Sequence, residues 1–383
     1  MKRILFLLMI ITFCVAFCGL STAPTASAEG VAPIRAKSAY LMDKRTGQAL
    51  YGQRENDPFP IASMVKIMTA LLTFEEIDRG NLSLDEKLVI SDEAAGMGGS
   101  QMFLDRGLEY PVTDLLKGVI VVSANDACVA LAERISGSEE AFVCRMNERA
   151  KELGMTNTVF VNATGLPKDG GHSTARDVAV MLAELTKHPQ YYDYSKIWLE
   201  DYVHPDGRVT TFTNTNKFVR FYEECDGGKT GYTAEAKFCL AACATRGDTR
   251  LISVVIGADD SKTRFAESKR LLSYGFANYK TEIIVNAGDP IFLCPISRGA
   301  KAGVVCATES DLSLLVKIGA QEGSPDVETI YYDVKAPVRV GDQVGECTIT
   351  QGDQKTTVKL IAMEEVGKAT LGDAYGRIAS HWA

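Results

Sequence analysis

A change of pattern near Phe276 constrains the fold of this chain more than any other feature. Before it, helical patterns alternate with strand-like runs; after it come short β-rich runs separated by Gly-Asp turns at 288, 341 and 352. A chain of 383 residues also fits two domains of roughly 100–200 residues each. We therefore predict an α/β (α+β) domain with an antiparallel sheet and a helical cluster over 29–277, then a small all-β domain over 278–363.

Within the first domain, turn residues and apolar periodicity predict the individual elements. Thr46-Gly47 lies between two strand-like runs and predicts a hairpin over residues 38–53. Arg246-Gly247-Asp248 likewise separates "KFCLAACAT" from "RLISVVIGA", which predicts an antiparallel pair. Helical patterns cover 61–74, 111–122, 126–136, 139–153, 174–187 and 261–274.

The first 28 residues read as a secretory signal peptide. Lys2 and Arg3 precede an apolar run from Ile4 to Phe17, and the segment closes on small residues at 26–28. The apolar run is shorter than the roughly 20 residues that a membrane span needs. We expect cleavage after Ala28 and export of the remaining chain.

Charge and cysteine content exclude some classes of function. The net charge of −8 argues against a nucleic-acid partner. With four histidines and no CxxC spacing, we expect no metal and no cofactor. Two of the ten cysteines leave with the signal peptide, and most of the other eight lie in apolar runs that are typical of buried small hydrophobes, with no pairing assigned.

The stretch "PFPIASMVKIMTALL", residues 58–72, sets Ser63 and Lys66 three apart in an apolar helical pattern. Residues at this spacing share a helix face, so the serine hydroxyl and the lysine amine can meet. A free lysine titrates near about 10.4, and burial or a second cation lowers that value enough for it to act as a base. The alternative is a helix cap at Ser63 with Lys66 extended to water.

Two further motifs follow in order along the chain. Ser123 and Asn125 lie in "VVSANDACVALAE", and Lys229, Thr230 and Gly231 lie in "DGGKTGYT" ahead of a strand beginning near Phe238. Gly231 lacks a Cβ, so a substrate can lie close to that backbone. Each motif alone also fits a helix cap or a turn, but three in this order favour a catalytic serine with a lysine base.

This set, SxxK, SxN and KTG, is known from penicillin-binding proteins and class A β-lactamases. The chain resembles the D-alanyl-D-alanine carboxypeptidases among them over residues 36 to 277, with further likeness in "GGSQMFL", "MNERAKELGMTNTVFVNATGL", "STARD" and "NTNKFV". The β-rich remainder resembles that family's C-terminal domain. The resemblance implies a β-lactamase/transpeptidase-like fold, peptidoglycan stem peptides as substrates and β-lactam antibiotics as covalent inhibitors.

The resemblance also implies residue roles. Ser63 would be the acylated nucleophile, Lys66 its base and Ser123 a proton relay. Asn125 would hold the substrate amide, and Lys229 would keep Lys66 neutral. Thr230 would bind the terminal carboxylate of the substrate, with Arg264 near it. The backbone N–H groups of Ser63 and Tyr232 would form the oxyanion hole, and Gly231 would belong to the substrate-binding strand.

The last 20 residues, 364–383, predict a membrane-associating tail. Leu371, Tyr375, Ile378 and Trp382 recur at amphipathic helical spacing. Gly372 and Gly376 weaken such a helix, and its polar side is not strongly basic, so packing against the β domain is the alternative.

Two other functions compete with the carboxypeptidase hypothesis. A serine β-lactamase needs a group that activates water for rapid deacylation, and "NATGLPKDGGHSTARD" contains aspartates but no glutamate. A non-catalytic cell-wall scaffold has no need of a matched serine and lysine. We therefore favour a serine-type D-alanyl-D-alanine carboxypeptidase at the extracytoplasmic face of the cell membrane or in the cell wall.

Overall fold

The structure is a computed structural model that describes residues 31–290, 292–319, 323–352 and 354–373. The predicted signal peptide and the last ten residues of the predicted tail lie outside this part of the chain. Among the helices that are described, none combines the length and the hydropathy that a membrane span requires.

The first domain is built from nine strands and nine helices within the described range. The strands are β1 (Ser38–Asp43), β2 (Ala49–Gln53), β3 (Lys87–Val89), β4 (Glu109–Pro111), β5 (Leu199–Val203), β6 (Val209–Thr213), β7 (Cys225–Thr233), β8 (Lys237–Arg246) and β9 (Thr249–Ala258). The helices are α1 (Lys66–Asp78), α2 (Asp92–Ala95), α3 (Val112–Lys117), α4 (Asn125–Ser136), α5 (Glu139–Glu152), α6 (Ala175–Leu185), α7 (Tyr191–Ser195), α8 (Phe218–Phe221) and α9 (Ser261–Asn278).

The central sheet is antiparallel and has the strand order β2-β1-β9-β8-β7. The predicted hairpin β1–β2 and the predicted pair β8–β9 are both confirmed. Strand β7 is the second edge of the sheet and pairs only with β8 along the sequence Cys225 to Thr233. An edge strand leaves one row of backbone N–H and C=O groups available to an extended peptide.

Side chains of β1 alternate between two cores, as the period of two in a strand requires. Tyr40 and Met42 face the core that contains α1, α4 and α6, whereas Ala39 and Leu41 face the core beneath α9. The sheet is therefore covered by helices on both sides. This explains why its central strands read as continuous apolar runs.

One predicted helix begins later, and another ends earlier, than the apolar pattern suggests. Helix α1 starts at Lys66, and the preceding residues 62–65 form a 3-10 turn that carries Ser63. The pattern over 111–122 is α-helical only to Lys117 and continues as a π-helical turn over Gly118–Val122. The first of these turns contains Ser63, and the second directly precedes Ser123.

The second domain is all-β, as predicted. Its strands are β10 (Tyr279–Val285), β11 (Phe292–Ser297), β12 (Gly303–Thr308), β13 (Leu312–Lys317), β14 (Asp326–Tyr331), β15 (Val334–Lys335), β16 (Gln343–Gln351) and β17 (Gln354–Ala362). Six of them form a sheet in the order β14-β16-β17-β12-β11-β15, and β10 pairs with β13. A separate apolar core fills this domain, with Val304, Leu312, Val344 and Leu360 at its centre.

Specific contacts join the two domains. Thr281 Oγ1 donates a hydrogen bond of 3.0 Å to the buried carboxylate of Asp43, and Arg45 forms an ion pair with Asp311. Leu315 from β13 belongs to the core beneath α9. The connection is therefore packed and hydrogen-bonded.

The eight cysteines outside the signal peptide are free thiols, and seven of them are buried. This confirms the interpretation of most of them as small core residues. Cys144 on α5 is the exposed one.

Candidate active site

Ser63 and Lys66 meet as the spacing predicts. Lys66 Nζ donates a hydrogen bond of 3.0 Å to Ser63 Oγ. The lysine residue is 1% exposed. A second hydrogen bond joins Lys66 Nζ to the carbonyl oxygen of Thr164. The amine is thus held against the serine and is withdrawn from water.

Burial lowers the pKa of Lys66 to about 8. Electrostatic interactions with Cys128 and Asp126 raise the pKa and partly offset the effect of burial. Of the two predicted causes, burial and a second cation, removal from water has the largest effect, and the contribution of Lys229 stays a prediction. Near neutral pH, a useful fraction of Lys66 is therefore unprotonated and able to accept a proton.

The pKa of Lys229 is also lowered by its buried position. Burial lowers its pKa well below the usual range, and the charges of Lys66 and Arg264 lower it further. Its Nζ donates to the carbonyl oxygen of Thr230 at 3.2 Å. Because the two buried ammonium groups oppose each other, an anionic substrate group would favour the protonated form of Lys229.

Two glycines allow β7 and a neighbouring loop to approach the serine turn. A Cβ on Gly231 would lie 2.6 Å from the carbonyl oxygen of Ile61 and 3.3 Å from the backbone nitrogen of Ser63. A Cβ on Gly165 would lie 2.1 Å from the carbonyl oxygen of Ala62. Ala62 itself has φ +48°, an uncommon conformation for a residue with a side chain. The nucleophile turn is therefore clamped and strained.

The loop that contacts Lys66 is one that sequence reasoning did not assign a role. The side chain of Asn162 folds it by accepting from the backbone N–H of Gly165 at 2.7 Å and donating to the carbonyl of Leu166 at 2.9 Å. This turn directs the carbonyl oxygen of Thr164 toward Lys66. The family-like stretch "NATGL" was a signal for this loop, but a contact through backbone oxygen leaves no trace in the residue type.

Ser123 follows the π-helical turn in a left-handed conformation, with φ +65°. Its hydroxyl is buried and has no hydrogen-bond partner among the residues that the structure describes. Such backbone strain and unsatisfied polarity cluster at functional sites. The hydroxyl is free to exchange a proton with groups that enter the site.

Asn125 begins α4 and is fixed on one side. Its Nδ2 donates a hydrogen bond of 2.6 Å to the carbonyl oxygen of Gly98. Its backbone N–H donates a hydrogen bond of 2.7 Å to the carbonyl oxygen of Ser100. The next residue, Asp126, is buried and accepts from the N–H groups of Met102 and Leu104, each at 3.1 Å. Sequence reasoning missed Asp126, which ties the segment before α3 to the serine-asparagine motif.

The residues 229–232 lie in an edge strand of their own. We expected them to lead into a strand that begins near Phe238, but they belong to β7, in register with β8 through Lys229↔Ala241 and Gly231↔Cys239. Lys229 and Thr230 are buried, whereas Tyr232 is 56% exposed and its ring lies 4.4 Å from that of Phe238. The glycine-rich composition hides this strand from propensity arguments.

Arg264 lies behind β7. Its guanidinium donates to the carbonyl oxygens of Gly231 at 3.1 Å and Cys239 at 3.3 Å, and burial lowers its pKa to about 10. The Nε group is buried without a hydrogen-bond partner in the described structure. Arg264 therefore braces the β7–β8 pair, and its contact with a substrate carboxylate stays a prediction.

The geometry places a buried lysine on a serine at the edge of an antiparallel sheet, which defines a serine hydrolase of the penicillin-binding type. Residues 23–260 match the D-alanyl-D-alanine carboxypeptidase family, and residues 279–368 match the C-terminal domain of penicillin-binding protein 5. The chain belongs to the D-alanyl-D-alanine carboxypeptidase family.

Individual relatives agree with this assignment. The chain is 38% identical over 350 residues to D-alanyl-D-alanine carboxypeptidase DacF of Bacillus subtilis, covering 91% of this chain and 90% of the relative. It is 33% identical to DacC of Escherichia coli, over 90% of this chain and 87% of the relative. The solved structure of penicillin-binding protein 5 from Haemophilus influenzae is similar with a TM-score of 0.70 and 32% identity, covering 88% of this chain and all of that one.

Proposed function

We propose that the exported chain removes the terminal D-alanine from peptidoglycan stem pentapeptides through an acyl-enzyme on Ser63. The observation that carries this proposal is the 3.0 Å hydrogen bond from the buried amine of Lys66 to the hydroxyl of Ser63. The neighbouring edge strand β7 supports it, since an extended peptide can add to that edge.

Acylation begins with neutral Lys66, which takes the proton of Ser63 as the oxygen attacks the carbonyl carbon of the scissile amide. The negative charge that develops on the carbonyl oxygen is bound by the N–H groups of Ser63 and Tyr232. The close approach of Gly231 to the nitrogen of Ser63 supports this pairing. The carbon–nitrogen bond then breaks, and a proton passes through the free hydroxyl of Ser123 to the leaving D-alanine amine.

Substrate binding uses the other motif residues. Asn125 holds a backbone amide of the peptide, and the row of groups along β7 holds its extended chain. Lys229 supplies positive charge, while Thr230 and Arg264 contribute to the site for the terminal carboxylate. The burial of Lys229 and Thr230 supports this arrangement, because an ionic contact is stronger away from water.

A water molecule completes the cycle after D-alanine leaves. It attacks the acyl carbon and Lys66 takes its proton. As the ester bond to Ser63 breaks, Lys66 returns this proton to the Ser63 oxygen, and the shortened peptide is released. In a β-lactam acyl-enzyme the leaving amine stays tethered and blocks this approach. Glu139 contacts the loop beside Lys66, but its carboxylate accepts from the N–H of Ala163 at 2.8 Å. We therefore propose slow deacylation of β-lactams and a carboxypeptidase in preference to a β-lactamase.

Incubation with a synthetic stem pentapeptide is expected to give a product one D-alanine lighter by mass. The Ser63→Ala variant is expected to give none, because the nucleophile is absent. Circular dichroism of the variant controls for folding. Full turnover by folded Ser63→Ala would refute the nucleophile assignment, and inactivity of both proteins would refute the substrate.

We further propose that the signal peptide directs export and that the tail adds membrane affinity. Deleting residues 367–383 is expected to move protein from lipid vesicles to the soluble fraction and to leave turnover of a soluble peptide unchanged. Sedimentation with vesicles measures both forms. Equal partitioning would favour packing of the tail on the β domain.

A further inference from the structure

A groove between α8 and the first half of α9 lies outside the site described above. Its volume is about 530 Å³. The floor is aromatic: the rings of Phe218 and Phe265 lie 5.1 Å apart, and Phe221 at the margin is 67% exposed. Phe218 belongs to the core beneath α9, whereas α1 packs in the core on the other side of the sheet. The groove and the Ser63 turn are therefore on different faces of the domain.

The rim of this α8–α9 groove is basic. The rim is lined by Lys217, Lys262 and Lys269. No acidic residue of the described chain lines the groove. Lys262, Ala266 and Lys269 follow the helical spacing of four and three, so they share the outward face of α9. The chain as a whole has a net charge of −8, whereas three lysines surround this one apolar groove. The groove therefore differs in charge from the protein as a whole.

The acidic residues near the groove do not line it. Asp260 caps α9 by accepting from the N–H of Thr263 at 2.7 Å, and Glu224 forms a 2.6 Å ion pair with Arg246. Glu223 is exposed beside α8 but does not line the groove. Lys269 Nζ lies 5.6 Å from the ring centre of Tyr222. Among the described residues, the side chains that line the groove therefore include lysines and no carboxylate.

A further cation adjoins the exposed phenyl ring. The guanidinium of Arg220 lies 5.6 Å from the centre of Phe221 and 5.3 Å from that of Trp198. Aromatic rings with flanking lysines and arginines are typical of surfaces that meet the headgroup layer of a bilayer. Lysines there bind lipid phosphates, and a phenyl ring enters the boundary between headgroups and acyl chains.

The geometry points to the α8–α9 groove as a docking surface for anionic phospholipids at a membrane surface. The occupant follows from charge and shape: three lysines match phosphate groups, and the phenyl floor matches the upper acyl chain. Docking through this face leaves the Ser63 turn open to substrate, since that turn packs in the core on the other side of the sheet. The contact is independent of the tail.

The test compares sedimentation of the full chain with phosphatidylcholine vesicles that contain or lack phosphatidylglycerol. Each basic residue near an anionic surface contributes about fivefold in affinity, so the double variant Lys262→Ala, Lys269→Ala is expected to bind about 25-fold more weakly. The matched control is Lys87→Ala, Val89→Ala, which removes an exposed lysine and an exposed valine from β3. Penicillin labelling of Ser63 in each variant confirms that it is folded.

A local readout separates the groove from the tail. Lysine acetylation by acetic anhydride, followed by peptide mass spectrometry, is expected to show protection of Lys217, Lys262 and Lys269 by phosphatidylglycerol vesicles but not of Lys87. Equal acetylation of the three lysines with and without bound vesicles would overturn the proposal. Equal protection by soluble polyglutamate would also overturn it, in favour of an acidic polypeptide.

Discussion

The Lys66→Arg variant is expected to lose about 10³-fold in acylation rate, the middle of the range that a general base contributes. Arginine keeps the positive charge and the hydrogen bond to Ser63, but its guanidinium stays protonated at any useful pH. It therefore cannot accept the serine proton. Stopped-flow or quenched labelling with a fluorescent penicillin measures the rate constant directly.

The pH dependence of the wild-type rate provides the second readout. Since only neutral Lys66 is active and its pKa is about 8, acylation should fall tenfold per unit below that pH and level off above it. A near-wild-type rate in folded Lys66→Arg, or a rate that falls as pH rises from 6 to 8, would show that another group is the base.

The Gly231→Ala variant is expected to acylate about 10²-fold more slowly, the effect of an approximately 1 Å misplacement of reacting groups. The added methyl would lie 2.6 Å from the carbonyl oxygen of Ile61, so either β7 or the Ser63 turn must move. Both the oxyanion pair and the peptide-binding edge then lose their alignment. Penicillin labelling together with peptide turnover measures the loss.

Gly367→Ala is the matched control, because its new methyl meets no heavy atom within 4 Å and it lies after β17, outside the catalytic domain. Thermal unfolding of both variants separates a local change in the site from a loss of stability. Normal acylation by Gly231→Ala would mean that the close contact between β7 and the nucleophile turn is not needed for catalysis.

Much of the fold follows from periodicity and turn chemistry. The Thr46-Gly47 hairpin and the pair about Gly247 were predictable because polar turn residues separate long apolar strands. The all-β second domain was predictable for the same reason, because Gly-Asp turns separate its short β-rich runs. The 3-10 and π-helical turns were not predictable. They differ from an α-helix in the spacing of backbone hydrogen bonds, and this difference leaves no signal in the residue composition.

The sequence likewise predicted some contacts of the candidate site and not others. Spacing predicted the contact between Ser63 and Lys66, which depends on one turn of helix. It could not predict the carbonyl of Thr164 or the support from Asp126, because these contacts join segments distant in sequence and use backbone atoms. It also could not rank the causes of a pKa shift, since burial is a property of the folded chain.

Intact-protein mass after mixing with benzylpenicillin, followed over time, tests the central claim most directly. Ser63 is expected to open the β-lactam ring and retain the product, because the tethered amine blocks water and Glu139, which contacts the loop beside Lys66, is held by the N–H of Ala163. One persistent adduct per chain is expected, and none in Ser63→Ala. Rapid return to the free mass with many equivalents of penicillin destroyed would contradict it and indicate a β-lactamase.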